Sequence, residues 1–319
     1  MHPHREAPRP TIAVIGGESL LGKETVELLE ASGLPAAVQS IDDDANEKAI
    51  AAARILVLAG SAETNRRVYD QPRNPELPVV DLSGALEDNP AARLRAPIVE
   101  PSGYQAAGPI QVIAHPAAIA IAIFLTELRK AGAIRQSVVQ LFEPVSERGK
   151  EGIDELQKQV VSLLSFKPLV TEVFHTQAAF NLLARYGEEA PQPLEQIELK
   201  IERHLASLLA ATATVPMPSL RLIHAPVFHG YSISVWTEFE KDPGLETVNR
   251  TLASNRTVDV RPAGEEPPNN VGVAGQGGIQ VGAIAADRNH PGAYWFWVVA
   301  DNLRIVAENA VEVVRAMLR

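Results

Sequence analysis

The sequence predicts a Rossmann-like α/β domain at the N-terminus, followed by an α+β domain. Three observations support this fold class. The chain has 319 residues, of which 46% are apolar, and this is enough material for roughly two cores. The segment TIAVIGG (11–17) has the apolar run of a buried strand, ends in two glycines and leads into a helical segment. Strand-like and helical segments then alternate as far as residue 84, which is typical of a parallel doubly wound sheet.

The first domain contains short apolar runs separated by helical segments. KETVELLEASG (23–33) places Val26, Leu28 and Leu29 on one helical stripe, and Gly33 is expected to end that helix. Further strands are predicted at AAVQSI (36–41), RILVLAG (54–60), PVVDLSG (78–84) and PIQVI (109–113), with a helix at DDDANEKAIAAA (42–53).

The pattern changes after residue 120. RQSVVQLFEPV (135–145) alternates like a half-exposed strand, and RLIHAPVFHGYSISVWTEFE (221–240) indicates long antiparallel strands. A loop rich in proline and glycine (261–278) precedes two more strand-like runs. These runs are IQVGAIAAD (279–287) and AYWFWVVAD (293–301), and helices are predicted at 152–165, 196–210 and 302–319. The mixture indicates an α+β domain.

Charge and residue usage exclude several classes of function. The formal charge of −10, from 29 basic and 39 acidic residues, disfavours nucleic acid and anionic membranes as partners. The chain has no cysteine, so disulfides, thiolate catalysis and thiolate metal sites are excluded. The N-terminal residues lack the apolar core of a signal peptide, and the longest apolar run (116–125) is too short to span a bilayer. We therefore expect a cytoplasmic protein with small-molecule or protein partners.

The segment AHPAAIA (114–120) joins a predicted strand to a long apolar helical segment. Such corners often display a nucleophile, because a helix N-terminus favours a developing anion. Here the corner holds His115, Pro116, Ala117 and Ala118, with no serine, threonine or cysteine. From the residues alone it is either a plain turn or a catalytic corner without its catalyst.

Four segments together carry a resemblance to the aspartate-semialdehyde dehydrogenase family. They are VIGGESLLGKETVELLEASGLP (14–35), GKEGIDEL (149–156), HAPVFHGYS (224–232) and WVVADNLRIVAENAV (297–311). With AFNLLARYG (179–187), the chain most resembles the Usg-type branch, relatives that lack the catalytic residues. The resemblance implies a dinucleotide-binding domain at 1–114 plus 300–319, and a dimerisation and catalytic-type domain at 115–299.

The resemblance also implies a reaction, the reductive dephosphorylation of an acyl phosphate through a cysteine thioacyl intermediate, with NADP as hydride donor. The family's catalytic positions are largely altered in this chain. The cysteine position falls on Ala118, the carbonyl-placing glutamine on Glu143, the substrate-binding arginine on His224, the acid/base histidine on Tyr231 and the phosphate-binding arginine on Glu87, while the phosphate-contacting lysine is retained as Lys200.

Three functional hypotheses follow from these departures. The first is a homologue without the family's thiol-dependent activity, retained for a binding or regulatory role. The alternative is an NAD-dependent oxidoreductase that acts on a small aldehyde or acid without a covalent cysteine intermediate. The third is an unrelated hydrolase or isomerase activity in the old cleft. The five altered positions favour the first hypothesis.

The glycine loop bears on the cofactor. In the family pattern GxxGxxG, Gly16 and Gly22 are present, but Ser19 stands where glycine would let a pyrophosphate approach. Asp42, at the start of DDD (42–44), either binds the ribose of NAD or simply begins a solvated acidic helix. The sequence thus allows NAD, bound weakly or not at all, and disfavours NADP.

Two further predictions concern metals and partners. His224 and His229 are separated by an odd number of positions and would face opposite sides of one strand, so no metal site is expected. A homodimer is predicted, with Trp236 and Phe239 at the interface between the two chains, because aromatic residues are enriched at interface cores. The alternative is a monomer whose second sheet face is covered by the loop at 241–278.

Overall fold

Two six-stranded sheets are formed within the residues that the computed structural model describes, 10–41, 47–71, 74–101, 103–104, 106–212 and 215–319. The strands are β1 Thr11–Ile15, β2 Ala37–Ile41, β3 Ile55–Leu58, β4 Val79–Asp81, β5 Ala92–Arg95, β6 Ile110–Ile113, β7 Ile134–Glu143, β8 Ser219–His224, β9 Tyr231–Phe239, β10 Val258–Val260, β11 Ile279–Ala286 and β12 Ala293–Ala300. The helices are α1 Leu20–Ala31, α2 Glu47–Ala52, α3 Ala62–Tyr69, α4 Pro116–Leu128, α5 Gly149–Leu164, α6 Leu194–Thr212, α7 Leu245–Ala253 and α8 Asn302–Met317, with short 3-10 turns at Arg129–Ala131 and Val145–Arg148.

The chain divides into two units. Unit 1 contains the described residues up to Pro97, Tyr104–Ala114 and Val306–Arg319, and unit 2 contains Ile98–Gly103 and His115–Ile305. The boundary before the C-terminal helix was predicted at residue 300. The observed boundary lies after Ile305, because the Asn302 side chain bonds to groups of unit 2, the Ser146 hydroxyl and the Gly230 amide.

Unit 1 is built on a parallel sheet of order β2-β1-β3-β4-β6-β5. β3 is buried at every position and β1 at all but its first, as expected when helices cover both faces. The predicted Rossmann-like α/β fold is therefore confirmed. α3 and β5 were not predicted, because both are largely polar and bury few residues, chiefly Asn65, Val68 and Arg95.

Unit 2 contains a mixed sheet of order β10-β11-β12-β9-β7-β8 and is the predicted α+β domain. α4 packs against α6 and α7, and every residue of α4 except Thr126 is buried. The apolar run at 116–125 is thus core material. No helix in the described ranges is long and apolar enough to cross a membrane.

The prediction of antiparallel strands at residues 221–240 is confirmed for β9 and wrong for β8. β8 and β9 do not pair with each other; both pair with β7, β8 in parallel and β9 in antiparallel orientation. The turn at 225–230 separates them, and its Val227 and Phe228 carbonyls accept bonds from the amides of Val145 and Ser146. His229 lies in this turn, so the argument that it shares a strand with His224 was wrong too.

The two aromatic residues predicted for a partner surface lie on opposite faces of β9. Phe239 is buried and its ring contacts Tyr294, whereas Trp236 is half-buried on the other face. An odd separation along a strand places two side chains on opposite faces. Phe239 is therefore a core residue, and this part of the prediction was wrong.

A long segment without helix or strand, residues 165–193, is held by two buried side chains of α5. The Glu155 carboxylate accepts bonds from the amides of residues 172–174. The Gln159 side chain accepts through Oε1 from the backbone amides of residues 178–179 and donates through Nε2 to the carbonyls of Val170 and Thr176. This anchoring fixes the path of the segment.

Candidate functional site

Three of the predicted site residues lie side by side at one end of the sheet in unit 2. β7 and β8 pair Glu143 with His224, and β7 and β9 pair Phe142 with Ser232, which brings Tyr231 next to Glu143. His224, Glu143 and Tyr231 have no exposed surface. Polar residues at the buried end of strands need partners, because an unpaired buried polar group costs free energy.

The Glu143 carboxylate is paired within the chain. Arg148 Nη2 lies 3.1 Å from each carboxylate oxygen, and the Tyr186 hydroxyl donates to Oε2 at 2.7 Å. Burial disfavours the charged guanidinium, but the Glu143 carboxylate outweighs it, so the pKa of Arg148 is raised. Burial and the same carboxylate raise the pKa of Tyr186, which stays a neutral donor.

The proton arrangement at His224 follows from this pairing. Because the Tyr186 hydroxyl hydrogen points to Glu143, its oxygen is free to accept from His224 Nδ1–H at 3.1 Å. His224 Nε2 is then an unprotonated acceptor, buried without a hydrogen-bond partner among the described residues. Burial first, and Arg148 second, lower the pKa of His224 to about 4, so the ring is neutral at pH 7.

A second set of polar groups surrounds the start of α4. His115 caps the helix through Nδ1, which accepts from the Ala117 amide at 3.3 Å, so the ring proton lies on Nε2. That nitrogen is 3.5 Å from Glu147 Oε2. Burial, followed by the charge of Lys200, lowers the pKa of His115 well below 6.5.

Glu147 is the most perturbed carboxyl group of unit 2. Asn302 donates to its Oε1 at 2.6 Å, yet burial and the neighbouring Glu143 raise the pKa of Glu147 to about 7. Burial and the two carboxylates likewise raise the pKa of Tyr231, whose hydroxyl has no hydrogen-bond partner in the described structure. The Tyr231 ring meets His115 edge-on, with centroids 6.1 Å apart.

The remaining predicted positions separate into two groups. Ala118 is fully buried in the first turn of α4, and Lys200 lies on α6, where its charge acts on His115 and Glu147. Glu87 belongs to unit 1 and follows β4, half-buried. Three site residues, Glu147, Arg148 and Tyr186, were not predicted from the sequence. The first two stand directly before GKEGIDEL, and a charged pair there was the available signal.

The glycine loop of unit 1 has a defined internal hydrogen bond. Ser19 is the N-cap of α1: its Oγ accepts from the Gly22 amide at 2.8 Å and donates to the Ala59 carbonyl at 2.8 Å. Gly16 has a φ of +70°, a conformation that glycine adopts without strain. Asp42, predicted as a ribose ligand, lies outside the described residues.

The acidic and histidine side chains of the described residues are dispersed with respect to metal binding. The described residues contain no group of three or more such side chains positioned to hold a metal ion. The His229 carbonyl, in the turn at 225–230, accepts a bond from the Asn270 side chain.

The mixed sheet with its covering helices belongs to a known class of domain. The family model "Semialdehyde dehydrogenase, dimerisation domain" matches residues 125–305. The chain therefore belongs to the semialdehyde dehydrogenase family, and the predicted family resemblance is confirmed.

Individual relatives refine this placement. A USG-1 protein homolog from Pseudomonas aeruginosa is 27% identical over 314 residues, which cover 92% of this chain and 93% of the relative. The structure of a probable aspartate-semialdehyde dehydrogenase from Pseudomonas aeruginosa is also 27% identical, with a TM-score of 0.84 over 98% of this chain and 99% of that one. Aspartate semialdehyde dehydrogenase II from Vibrio cholerae, solved in complex with ASA, shares the fold at 21% identity, with a TM-score of 0.83 over 98% of this chain and 99% of that one.

Proposed function

We propose that this protein is a semialdehyde dehydrogenase homologue without thiol-dependent activity, retained for a binding or regulatory role. The observation that carries the proposal is Ala118. It is fully buried in the first turn of α4, where the family resemblance places the cysteine nucleophile. A methyl group cannot form a thioester, and the chain contains no cysteine that could replace it.

The charge pairing in unit 2 supports the same proposal. A guanidinium binds a substrate carboxylate or phosphate through free N–H donors. Arg148 instead has a carboxylate of its own chain, Glu143, as its partner, and Tyr186 adds a further bond to that carboxylate. The charges of Glu143 and Arg148 therefore compensate each other within the chain, and this guanidinium is not left free to bind a substrate anion.

The test is phosphate-dependent oxidation of aspartate semialdehyde with NAD or NADP, with a thiol-containing dehydrogenase as positive control. We expect no turnover above a blank. Ala118→Cys should not recover the rate of the positive control, because Glu143, His224 and Tyr231 remain altered. Turnover by the unmodified protein would overturn the proposal.

The alternative, an NAD-dependent oxidoreductase without a cysteine intermediate, depends on dinucleotide binding. The Tyr231 hydroxyl near His115 has no partner among the described residues, so it is available to donate a hydrogen bond to a substrate in such a reaction. NAD retained by the purified protein, detected by mass spectrometry after denaturation, would favour this alternative.

We also propose a homodimer that forms through the outer face of the sheet in unit 2. Trp236 pairs with both Val138 and Trp295 in neighbouring strands, and the latter two are 42% and 44% exposed. Asp287 accepts bonds from the indole N–H of Trp236 and of Trp295, so neither N–H group needs a hydrogen-bond acceptor from a second copy. The loop at 261–278 covers only part of this face, where Pro268 meets Trp297.

Light scattering at micromolar concentration tests the dimer. A mass near one 34.4 kDa chain would refute it. Trp295→Glu should produce monomers, because a carboxylate would be buried at the interface. Leu245→Glu is the matched control: Leu245 is 42% exposed but lies on α7, away from this face, and should leave the mass unchanged.

A further inference from the structure

The parallel sheet of unit 1 has a point where the chain changes direction. From β1 the chain first adds β2 on one side and then crosses to add β3 on the other side of β1. Open α/β sheets bind their ligands outside the carboxyl ends of the strands at such a switch point. In this unit the loops that begin at Gly16 and at Ala59 flank that position.

One side chain joins these two loops. The Ser19 hydroxyl donates to the Ala59 carbonyl after β3 and accepts from the Gly22 amide in the first turn of α1, both at 2.8 Å. The loops are also in close contact, because a Cβ added at Gly16 would lie 2.4 Å from the Gly60 Cα.

The second loop is itself held in place. The fully buried Asn65 side chain accepts from the Gly60 amide at 3.2 Å and donates to the Gly60 carbonyl at 3.1 Å. Since Gly60 is fixed at both its amide and its carbonyl, the loop after β3 has little freedom to move away from Ser19.

A bound diphosphate needs the groups that Ser19 uses. Phosphate oxygens accept bonds from amides in the first turn of a helix, and a close approach requires that no side chain stands there. Ser19 Oγ already accepts from the Gly22 amide and occupies the position that a glycine would leave open. The residues present therefore do not fit the dinucleotide that the fold implies.

We infer that Ser19 is a latch that closes the nucleotide crevice of unit 1, and that this one side chain excludes the diphosphate of a dinucleotide. Ser19→Gly removes the latch and costs little stability, because glycine is itself a tolerated N-cap. The inference is independent of the missing thiol, since binding requires no aldehyde chemistry.

Calorimetric titration of the full chain with NAD and with ADP tests the latch. We expect no measurable heat of binding for the unmodified protein. Ser19→Gly should bind NAD with a dissociation constant at least about tenfold below the weakest binding that the titration detects, a difference of about 1.4 kcal/mol. Ser19→Ala removes the hydroxyl and keeps the Cβ. This variant should bind NAD, but more weakly than Ser19→Gly does. If it does not bind NAD at all, the Cβ and not the hydrogen bonds excludes the dinucleotide, and the latch is contradicted.

Ser61→Gly is the matched control. Ser61 caps α3 by accepting from the Thr64 amide at 3.1 Å, but its bonds stay within its own loop and helix. This variant should lose a similar amount of stability and gain no affinity for NAD. The inference is overturned if the unmodified protein binds NAD, or if folded Ser19→Gly binds it no better than Ser61→Gly does.

Discussion

The crevice of unit 1 and the polar cluster of unit 2 are closed by different physical means. In unit 1 a single neutral hydroxyl, that of Ser19, makes two hydrogen bonds to backbone groups. In unit 2 the charges of Glu143 and Arg148 are paired inside the protein, with Tyr186 and His224 bonded around them. A neutral cap is inexpensive to remove, whereas a buried charge left alone is not. One substitution should therefore reopen the first site, while the second should resist change.

The largest expected effect is on the buried ion pair. Arg148→Ala leaves the fully buried Glu143 carboxylate without its cation, and we expect a loss of about 3–5 kcal/mol in the free energy of unfolding. Arg135→Ala is the control. The Arg135 side chain, which pairs with Glu238, is exposed, so this ion pair should contribute about 1 kcal/mol or less to the free energy of unfolding. Urea denaturation of both variants measures the difference. Equal losses would show that the burial of Glu143 does not make it depend on its cation.

The next effect concerns Glu147 and depends on pH. Its pKa is raised from 4.5 to about 7, so between these values the folded state holds a proton that the unfolded chain has lost. The resulting stability is fully present below pH 4.5 and is lost as the pH rises through about 7. Glu147→Gln cannot ionise, so it should be more stable than the unmodified protein at pH 8, by about 2 kcal/mol, and similar to it near pH 4.5. The expected difference in stability is smaller than the change in pKa alone would give, because 13% of the Glu147 side chain is exposed to solvent.

Denaturation curves at several pH values between 4.5 and 8 check this prediction. His224 has the opposite dependence: its pKa is lowered to about 4, so its contribution is present above 6.5 and is lost as the pH falls through about 4. That contribution cancels when Glu147→Gln is compared with the unmodified protein at each pH. Glu151→Gln, at an exposed position, is the control. A difference that stays constant with pH would show that Glu147 does not titrate as described.

A smaller effect is expected at Tyr186. Tyr186→Phe removes the hydroxyl that donates to Glu143 and accepts from His224, which leaves a buried N–H without an acceptor. We expect a loss of about 1.5 kcal/mol. Tyr104→Phe, at a position that is 46% exposed, should change the unfolding free energy by less than about 0.5 kcal/mol. If the two variants are equally stable, the Tyr186 hydroxyl adds nothing to the cluster.

The smallest effect is expected in unit 1. Ser19→Ala removes the N-cap of α1 and its bond to Ala59, and should cost about 1 kcal/mol. Thermal unfolding followed by circular dichroism is sufficient to measure it. A loss as large as that of Arg148→Ala would mean that the crevice is as firmly held as the cluster.

The sequence predicted those parts of the fold whose signal is local. β1 and β3 were found because a strand buried on both faces is a continuous apolar run. The direction of β8 was not found, because it depends on pairing with β7, about 80 positions earlier in the chain. That Trp236 and Phe239 lie on opposite faces of the sheet could have been predicted, since residues an odd number of positions apart on a strand point to opposite faces.

The candidate site was predictable only at the family's own positions. Glu143, His224 and Tyr231 came from motifs of the resemblance, and the structure brings them together at the sheet end. Tyr186 could not be found by periodicity, because it lies in a segment without helix or strand. Its approach to Glu143 depends on a chain path that distant side chains determine.

That path has a consequence for the way the protein opens. Glu155 and Gln159 accept hydrogen bonds from five backbone amides, those of residues 172–174 and 178–179. These amides should exchange their hydrogens with solvent as one group, with a single opening free energy, because releasing either side chain frees several of them together. The same segment carries Tyr186, so an opening that also breaks the two backbone bonds between Leu183 and His224 would withdraw the phenol from Glu143.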